Sequence, residues 1–122
     1  MDLVEVARIA GAVEKHGDRF LRRIYTPDEL AYCLSRGQQR DESLAARYAA
    51  KEAAWKALGV PPALRWTDLE VTSARTGAAP GIRFSRLALD AANALGVSST
   101  LLTMTHASGV AAAVVVLSRE AR

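Results

Sequence analysis

The spacing of apolar residues in the first half of the chain is helical. Val6, Ile9 and Val13 recur at intervals of three and four residues, which predicts an amphipathic helix over residues 3–16. An alanine-rich segment predicts a longer helix over residues 43–58, because Gly59 and the two prolines beyond it provide a C-terminal stop.

Between these two helices, a capping motif predicts a shorter one. The sequence TPDE at residues 26–29 supplies a threonine N-cap, a proline at the first helical position and a glutamate that can complete a capping box. We expect this helix to end near residue 35. The polar segment over residues 36–42 is expected to form a loop.

The second half of the chain favours strands. Four are predicted, over residues 66–72, 82–84, 97–105 and 110–117. Ser85 is the expected N-cap of a helix ending at residue 95, Thr76-Gly77 is expected to form a turn, and the last two strands should form a hairpin. Helices followed by strands with one inserted helix predict an α+β fold, in which an antiparallel sheet packs against the long central helix in a single domain spanning residues 1–122.

Composition narrows the class of protein. Half of the residues are hydrophobic and 24% are charged, which is enough for a real core. The net charge of +3 fits an anionic partner, but without a nucleic-acid motif it does not indicate DNA or RNA. The single cysteine, Cys33, is interpreted as a packing residue in a reducing compartment. Since the chain shows neither a signal-peptide core nor an apolar run near the ~20 residues of a membrane span, we expect a cytoplasmic protein with no membrane partner.

Four charged residues lie close together in the long helix, namely Arg47, Lys51, Glu52 and Lys56. Charged helix faces are common, and a Glu52–Lys56 pair worth about 0.2–0.5 kcal/mol would explain this spacing on an exposed helix. Glu52, however, shares its helical line with bulky apolar residues, and a partly buried carboxylate needs a partner. A Mg²⁺ ion shared with substrate phosphates would satisfy Glu52 and leave the three cations facing those phosphates, if a second carboxylate completes the site.

Three segments together resemble one known family. The sequence RYAAKEAAWKALG at residues 47–59 resembles the central motif of the holo-acyl-carrier-protein synthases, which are small trimeric phosphopantetheinyl transferases. The opening DLVEVAR at residues 2–8 is similar to the segment of that family that runs from an Asp to an Arg. The sequences TMTH at residues 103–106 and AAAVVV at residues 111–116 are similar to its closing strands. Each motif alone is weak, but all three occur in the right order, and the resemblance covers nearly the whole chain.

The resemblance implies a fold, an activity and a set of site residues. The fold would be that of the 4′-phosphopantetheinyl transferases, assembled as a homotrimer. The activity would be transfer of the 4′-phosphopantetheine group from coenzyme A to a serine of apo acyl carrier protein, with release of 3′,5′-ADP. Asp2 and Glu52 would hold Mg²⁺, and Glu52 and Lys56 would be the catalytic residues, Lys56 also contacting the pyrophosphate. Arg47 and His106 would contact phosphates, although a histidine before a Ser-Gly turn is often only a turn residue.

The first helix would provide the docking surface for the acidic carrier protein. Arg8, Lys15 and Arg19 are the matching cations, with Arg22 and Arg23 as weaker candidates. The alternative for each of them is an ordinary solvated position. Docking through such contacts would raise the association rate and weaken with salt.

The chain departs from the family in two regions. The family carries a strand before the Asp, whereas this sequence begins Met1-Asp2, so the first family strand is expected to be missing and Asp2 to lie on a mobile end. The turns at residues 59–62 and 77–80 also differ from the usual Gly-Thr-Gly and Gly-x-Pro sequences. The alternative function is therefore a non-catalytic module that binds coenzyme A or the carrier protein with an incomplete metal site. A nucleic-acid binder is the third alternative.

Overall fold

The computed structural model describes residues 1–72 and 79–120, so the turn predicted at Thr76-Gly77 lies outside the described residues. The helices are α1 (Val6–His16), α2 (Asp18–Ile24), α3 (Pro27–Leu34), α4 (Arg40–Ala57) and α5 (Arg86–Ala94). The strands are β1 (Asp2–Glu5), β2 (Leu69–Thr72), β3 (Gly81–Phe84), β4 (Ser99–Ala107) and β5 (Val110–Ser118). Short 3₁₀ turns cover Gly37–Gln39 and Trp66–Asp68.

The sheet and the central helix are arranged as predicted. Strands β1, β5 and β4 form an antiparallel sheet in that order, while β2 and β3 form a separate antiparallel pair. Helix α4 packs across β5 and β1, where it buries Ala45, Ala49 and Ala53. Because these side chains are small, the helix can approach the sheet closely, and this places its C-terminal half beside β1.

The predicted start of the first helix is wrong, because residues 2–5 form strand β1. Asp2 pairs with Ala113 and Glu5 with Val110, so this segment is the edge strand beside β5. The burial of Val4 and exposure of Leu3 follow the two-residue period of a strand. The expectation that Asp2 lies on a mobile end is therefore also wrong, since the backbone around it is held in the sheet.

Two further boundaries differ from the prediction, and one helix was missed. Helix α2 follows a break at Gly17, whose φ of 55° lies in the left-handed region that glycine tolerates. Part of the predicted loop at 36–42 is helical, since α4 begins at Arg40. The early start places acidic residues in the first turn of the helix, where the helix dipole favours negative charge. The predicted strand at 66–72 begins only at Leu69, after the 3₁₀ turn.

The capping box before α3 is confirmed. The Thr26 side chain accepts a hydrogen bond from the Glu29 backbone, and the Glu29 carboxylate accepts one from the Thr26 backbone N–H at 2.8 Å. Pro27 occupies the first helical position. Within residues 1–72 and 79–120, none of the helices combines the length and hydropathy that a bilayer crossing requires.

Candidate active site

The structure brings the carboxyl groups of Asp2 and Glu52 together. Asp2 comes from β1 and Glu52 from the face of α4 that lies beside that strand. The two groups lie within hydrogen-bonding reach of each other, so they can share one proton. Asp2 is therefore a second carboxylate beside Glu52, although fifty positions separate them in the sequence.

The pKa values of the two carboxyl groups are shifted in opposite directions. Burial raises the pKa of Glu52, and the hydrogen bond and negative charge of Asp2 raise it further. Burial alone would raise the pKa of Asp2 as well, but hydrogen bonds from Glu52 and Lys56 outweigh it and lower that pKa overall. The pKa values of the two groups are thus driven apart, as expected where one negative charge lies close to another.

The donor set fits a hard divalent cation. The Oδ2 atom of Asp2 is buried without a hydrogen-bond partner, and a cation would satisfy it. No cluster of three or more His, Cys, Asp or Glu side chains able to hold a metal occurs in the described part of the chain. Two carboxylates completed by phosphate and water oxygens match the preference of Mg²⁺, whereas a zinc site would need nitrogen or sulfur ligands.

Lys56 lies next to the carboxylate pair and reaches solvent. Its Nζ atom is 3.3 Å from Oδ1 of Asp2, and 58% of its side chain is exposed. An exposed ion pair of this kind contributes little to stability. The amine is therefore able to turn from Asp2 towards an anionic ligand bound at the pair.

The expectation that Lys51 faces a bound anion is wrong. The side chain is fully buried on another face of α4, and its Nζ atom lies 2.6 Å from Oε1 of Glu29. The amine also donates to the backbone carbonyls of Ile24 and Trp66, at 2.7 and 3.1 Å. Burial lowers the pKa of Lys51, and the charge of Glu29 opposes that shift. Lys51 thus joins α2, α3 and the 3₁₀ turn to the central helix.

The two predicted phosphate contacts lie away from the carboxylate pair within one chain. Arg47 is buried against α3, with its guanidinium carbon 4.2 Å from the centre of the Tyr32 ring. His106 is exposed on β4, two strands from β1 in the sheet order. A role for either residue in binding phosphate stays a prediction.

The proposed docking cations are exposed, as expected. Arg8 and Lys15 lie seven residues apart and share a face of α1, and Arg19 follows on α2. The guanidinium carbon of Arg8 lies 5.8 Å from the centre of the Tyr48 ring, and Tyr48 neighbours Glu52 on α4. This face therefore adjoins the carboxylate pair.

Sequence reasoning missed one polar group beside the carboxylate pair, the hydroxyl of Tyr48. This hydroxyl lies within hydrogen-bonding reach of the Glu52 carboxylate. The available signal was the four-residue spacing between Tyr48 and Glu52, which places both side chains on one face of a helix.

Comparison with known proteins identifies the family. A family model described as the 4′-phosphopantetheinyl transferase superfamily matches residues 1–114, and the chain belongs to that superfamily. Within it, the chain is similar to holo-[acyl-carrier-protein] synthase of Anaeromyxobacter sp. (strain K), with 50% identity over 121 residues that cover 96% of this chain and 91% of that protein. The corresponding enzyme of Solibacter usitatus is 43% identical over 119 residues, which cover 96% of this chain and 94% of that protein.

Solved structures agree with this assignment. The holo-[acyl-carrier-protein] synthase of Helicobacter pylori in complex with coenzyme A matches with a TM-score of 0.81 and 31% identity, covering 96% of each chain. The synthase of Neisseria meningitidis matches with a TM-score of 0.84 and 28% identity, covering 97% of this chain and 94% of that one. The family resemblance read from the three motifs is confirmed.

Proposed function

We propose that this protein transfers the 4′-phosphopantetheine group from coenzyme A to a serine of an apo acyl carrier protein, releasing 3′,5′-ADP in a Mg²⁺-dependent reaction. The observation that carries the proposal is the meeting of the Asp2 and Glu52 carboxyl groups with the solvent-exposed amine of Lys56. The curated relatives named above support the choice of substrates, since they carry the name of this activity at 43–50% identity.

Asp2 and Glu52 would hold the metal ion through one carboxylate each. When bound, Mg²⁺ neutralises charge on the transferring phosphoryl group and helps to orient the attacking oxygen. Lys56 would turn from Asp2 to the pyrophosphate and stabilise the negative charge that develops on the departing phosphate. The serine oxygen forms a bond to the phosphorus on the pantetheine side of the pyrophosphate, and the bond from that phosphorus to the bridging oxygen breaks. The bridging oxygen leaves with 3′,5′-ADP, and the serine proton passes to solvent.

Arg47 and His106 are proposed to contact the phosphates of coenzyme A, with His106 at the 3′-phosphate. Neither lies beside the carboxylate pair in one chain, which favours active sites formed at subunit boundaries. A homotrimer is supported by the outer face of the three-stranded sheet. Leu101 and Val116 pair with each other there and are 65% and 47% exposed, and Leu3 of β1 is exposed as well. Association of this small domain would bury that apolar face.

Arg8, Lys15 and Arg19 are proposed to dock the acidic carrier protein beside the site. The exposure of all three supports this role, as does the position of Arg8 over the ring of Tyr48. We infer that the protein acts in the cytoplasm, in line with its free buried cysteine.

Intact-mass analysis of an apo acyl carrier protein tests the proposal directly. Incubated with this protein, coenzyme A and Mg²⁺, the carrier should gain the mass of one phosphopantetheine group, and a chelator should suppress the gain. The Glu52→Gln variant should be folded and inactive. If the carrier gains no mass while coenzyme A still binds in the presence of the chelator, the alternative of a non-catalytic binding module is correct.

A further inference from the structure

We propose that Tyr48 is a positioning residue, whose hydroxyl holds the Glu52 carboxylate in the orientation that binds the metal ion. The inference rests on the proposed function, because it takes Asp2 and Glu52 as the metal ligands. It adds to that function a hydroxyl group one helical turn from Glu52.

The ring of Tyr48 is fixed by its neighbours. Trp66 stacks on it with ring centres 4.9 Å apart and an interplanar angle of 24°. The guanidinium of Arg8 also lies over the ring, at 5.8 Å from its centre. Since Tyr48 is buried except for a small fraction of its surface, its ring has no other rotamer to occupy without displacing these groups.

Trp66 is itself held in place, so the support extends beyond one contact. Its ring meets Trp55 edge to face, with centres 5.1 Å apart, and its backbone carbonyl accepts a hydrogen bond from the buried amine of Lys51. The indole N–H of Trp55 in turn donates to the carbonyl of Pro61 at 3.1 Å. This chain of contacts fixes the direction in which the Tyr48 hydroxyl points.

That direction is towards Glu52. The two residues are four positions apart on α4, so both side chains lie on one face of the helix. In line with this placement, a hydrogen bond from the hydroxyl opposes the rise in the pKa of Glu52. A phenol donates only one hydrogen bond, so it occupies one carboxylate lone pair and leaves the others free for a cation. Carboxylates that bind metals are generally oriented by such donors, and removing the donor typically costs 10–100-fold in metal affinity.

The test compares Tyr48→Phe with wild type in a Mn²⁺ binding measurement. Free Mn²⁺ is followed by electron paramagnetic resonance at fixed protein and coenzyme A, and the Glu52→Gln variant defines binding by coenzyme A alone. Phenylalanine keeps the ring between Trp66 and Arg8, so we expect an unchanged melting temperature and a loss of roughly 10-fold in Mn²⁺ affinity. The Mg²⁺ concentration for half-maximal transfer should rise by a similar factor, while KM for the carrier protein stays the same.

Tyr32→Phe is the matched control, since it removes a hydroxyl from a tyrosine on α3 whose ring packs against Arg47. It should leave Mn²⁺ affinity unchanged. Equal Mn²⁺ affinity of Tyr48→Phe and wild type would overturn the positioning role while leaving the metal site intact. Equal binding by Glu52→Gln and wild type would instead overturn the proposed metal site, and the positioning role with it.

Discussion

The amine of Lys51 and the carboxylate of Glu29 lie 2.6 Å apart, and both side chains are wholly buried. Glu29 also accepts hydrogen bonds from the backbone of Thr26 and Val71, at 2.8 and 2.9 Å. One carboxylate thus caps α3, binds strand β2 and neutralises a lysine of the central helix. Lys51 is next to Glu52 in the sequence, but it has a structural role.

Replacing Lys51 by methionine should destabilise the fold. The substitution leaves the buried charge of Glu29 uncompensated, and breaking a buried pair in this way costs about 3–5 kcal/mol. Urea denaturation of Lys51→Met against wild type measures the loss. Adding Glu29→Gln to the same chain should recover part of it, because the uncompensated charge is gone. A loss below about 1 kcal/mol in Lys51→Met would show that the pair does not hold these elements together.

Replacing Lys56 by methionine should reduce the activity and leave the stability nearly unchanged. This side chain is exposed and its ion pair with Asp2 is solvated, so the free energy of unfolding should change by about 0.5 kcal/mol or less. Phosphopantetheine transfer should fall by at least about 100-fold in kcat, since the charge on the departing phosphate loses its nearest cation. Steady-state transfer assays and urea denaturation of the same preparation test both statements. Near-normal kcat in Lys56→Met would rule out its proposed role.

The two lysines differ in a way that the sequence alone could not predict. The long helix, the capping box at Thr26 and the C-terminal hairpin follow from local patterns, and the structure confirms them. Which lysine turns inward depends on Glu29, a partner on another helix, and no local pattern reports that contact. Strand β1 was missed for the same kind of reason, since its four residues become a strand only by pairing with β5.

The site could be predicted only in part. The spacing of the long helix singled out Glu52, and the family resemblance, not the residue pattern, supplied Asp2 as its partner. Tyr48 was counted among the apolar residues of the helix, because a tyrosine on a buried stripe usually serves packing. The role proposed for it beside Glu52 emerges only when the positions of Trp66 and Arg8 are known.

Reversing one charge on α1 should weaken carrier docking without affecting chemistry. In Lys15→Glu, we expect KM for the acyl carrier protein to rise several-fold at low salt while kcat at saturating carrier is unchanged. The difference from wild type should shrink as salt increases, because screening removes the attraction. Arg119→Glu carries the same charge change beyond β5 and serves as the control. Equal KM values for the two variants would mean that net charge, and not this face, sets the affinity.

Cys33 should be unreactive in the folded protein. Burial raises the pKa of its thiol to about 11, so at pH 8 the thiolate fraction is about 100-fold lower than in the unfolded chain. Because the folded state holds this proton more tightly, the thiol's contribution to stability is complete below about pH 9 and declines as the pH rises towards 11. Labelling with a disulfide reagent at pH 8, with and without guanidinium, measures the protection. Rapid labelling of the native protein would contradict the buried position.

Placing a charge on the outer face of the sheet should dissociate the proposed trimer. Val116 is opposite Leu101 on this face, and an aspartate there would have to be buried unpaired in the interface. In Val116→Asp, we expect light scattering to report a monomer. Transfer activity should be lost if, as proposed, each active site forms at a subunit boundary. The circular dichroism spectrum should change little, since the side chain is half exposed in the isolated chain. Thr103→Asp, at the next position along the same exposed face of β4, measures how far the interface extends from the Leu101–Val116 pair. A wild-type protein that is monomeric and fully active would overturn the trimer and require Arg47 and His106 to act, if at all, within one chain.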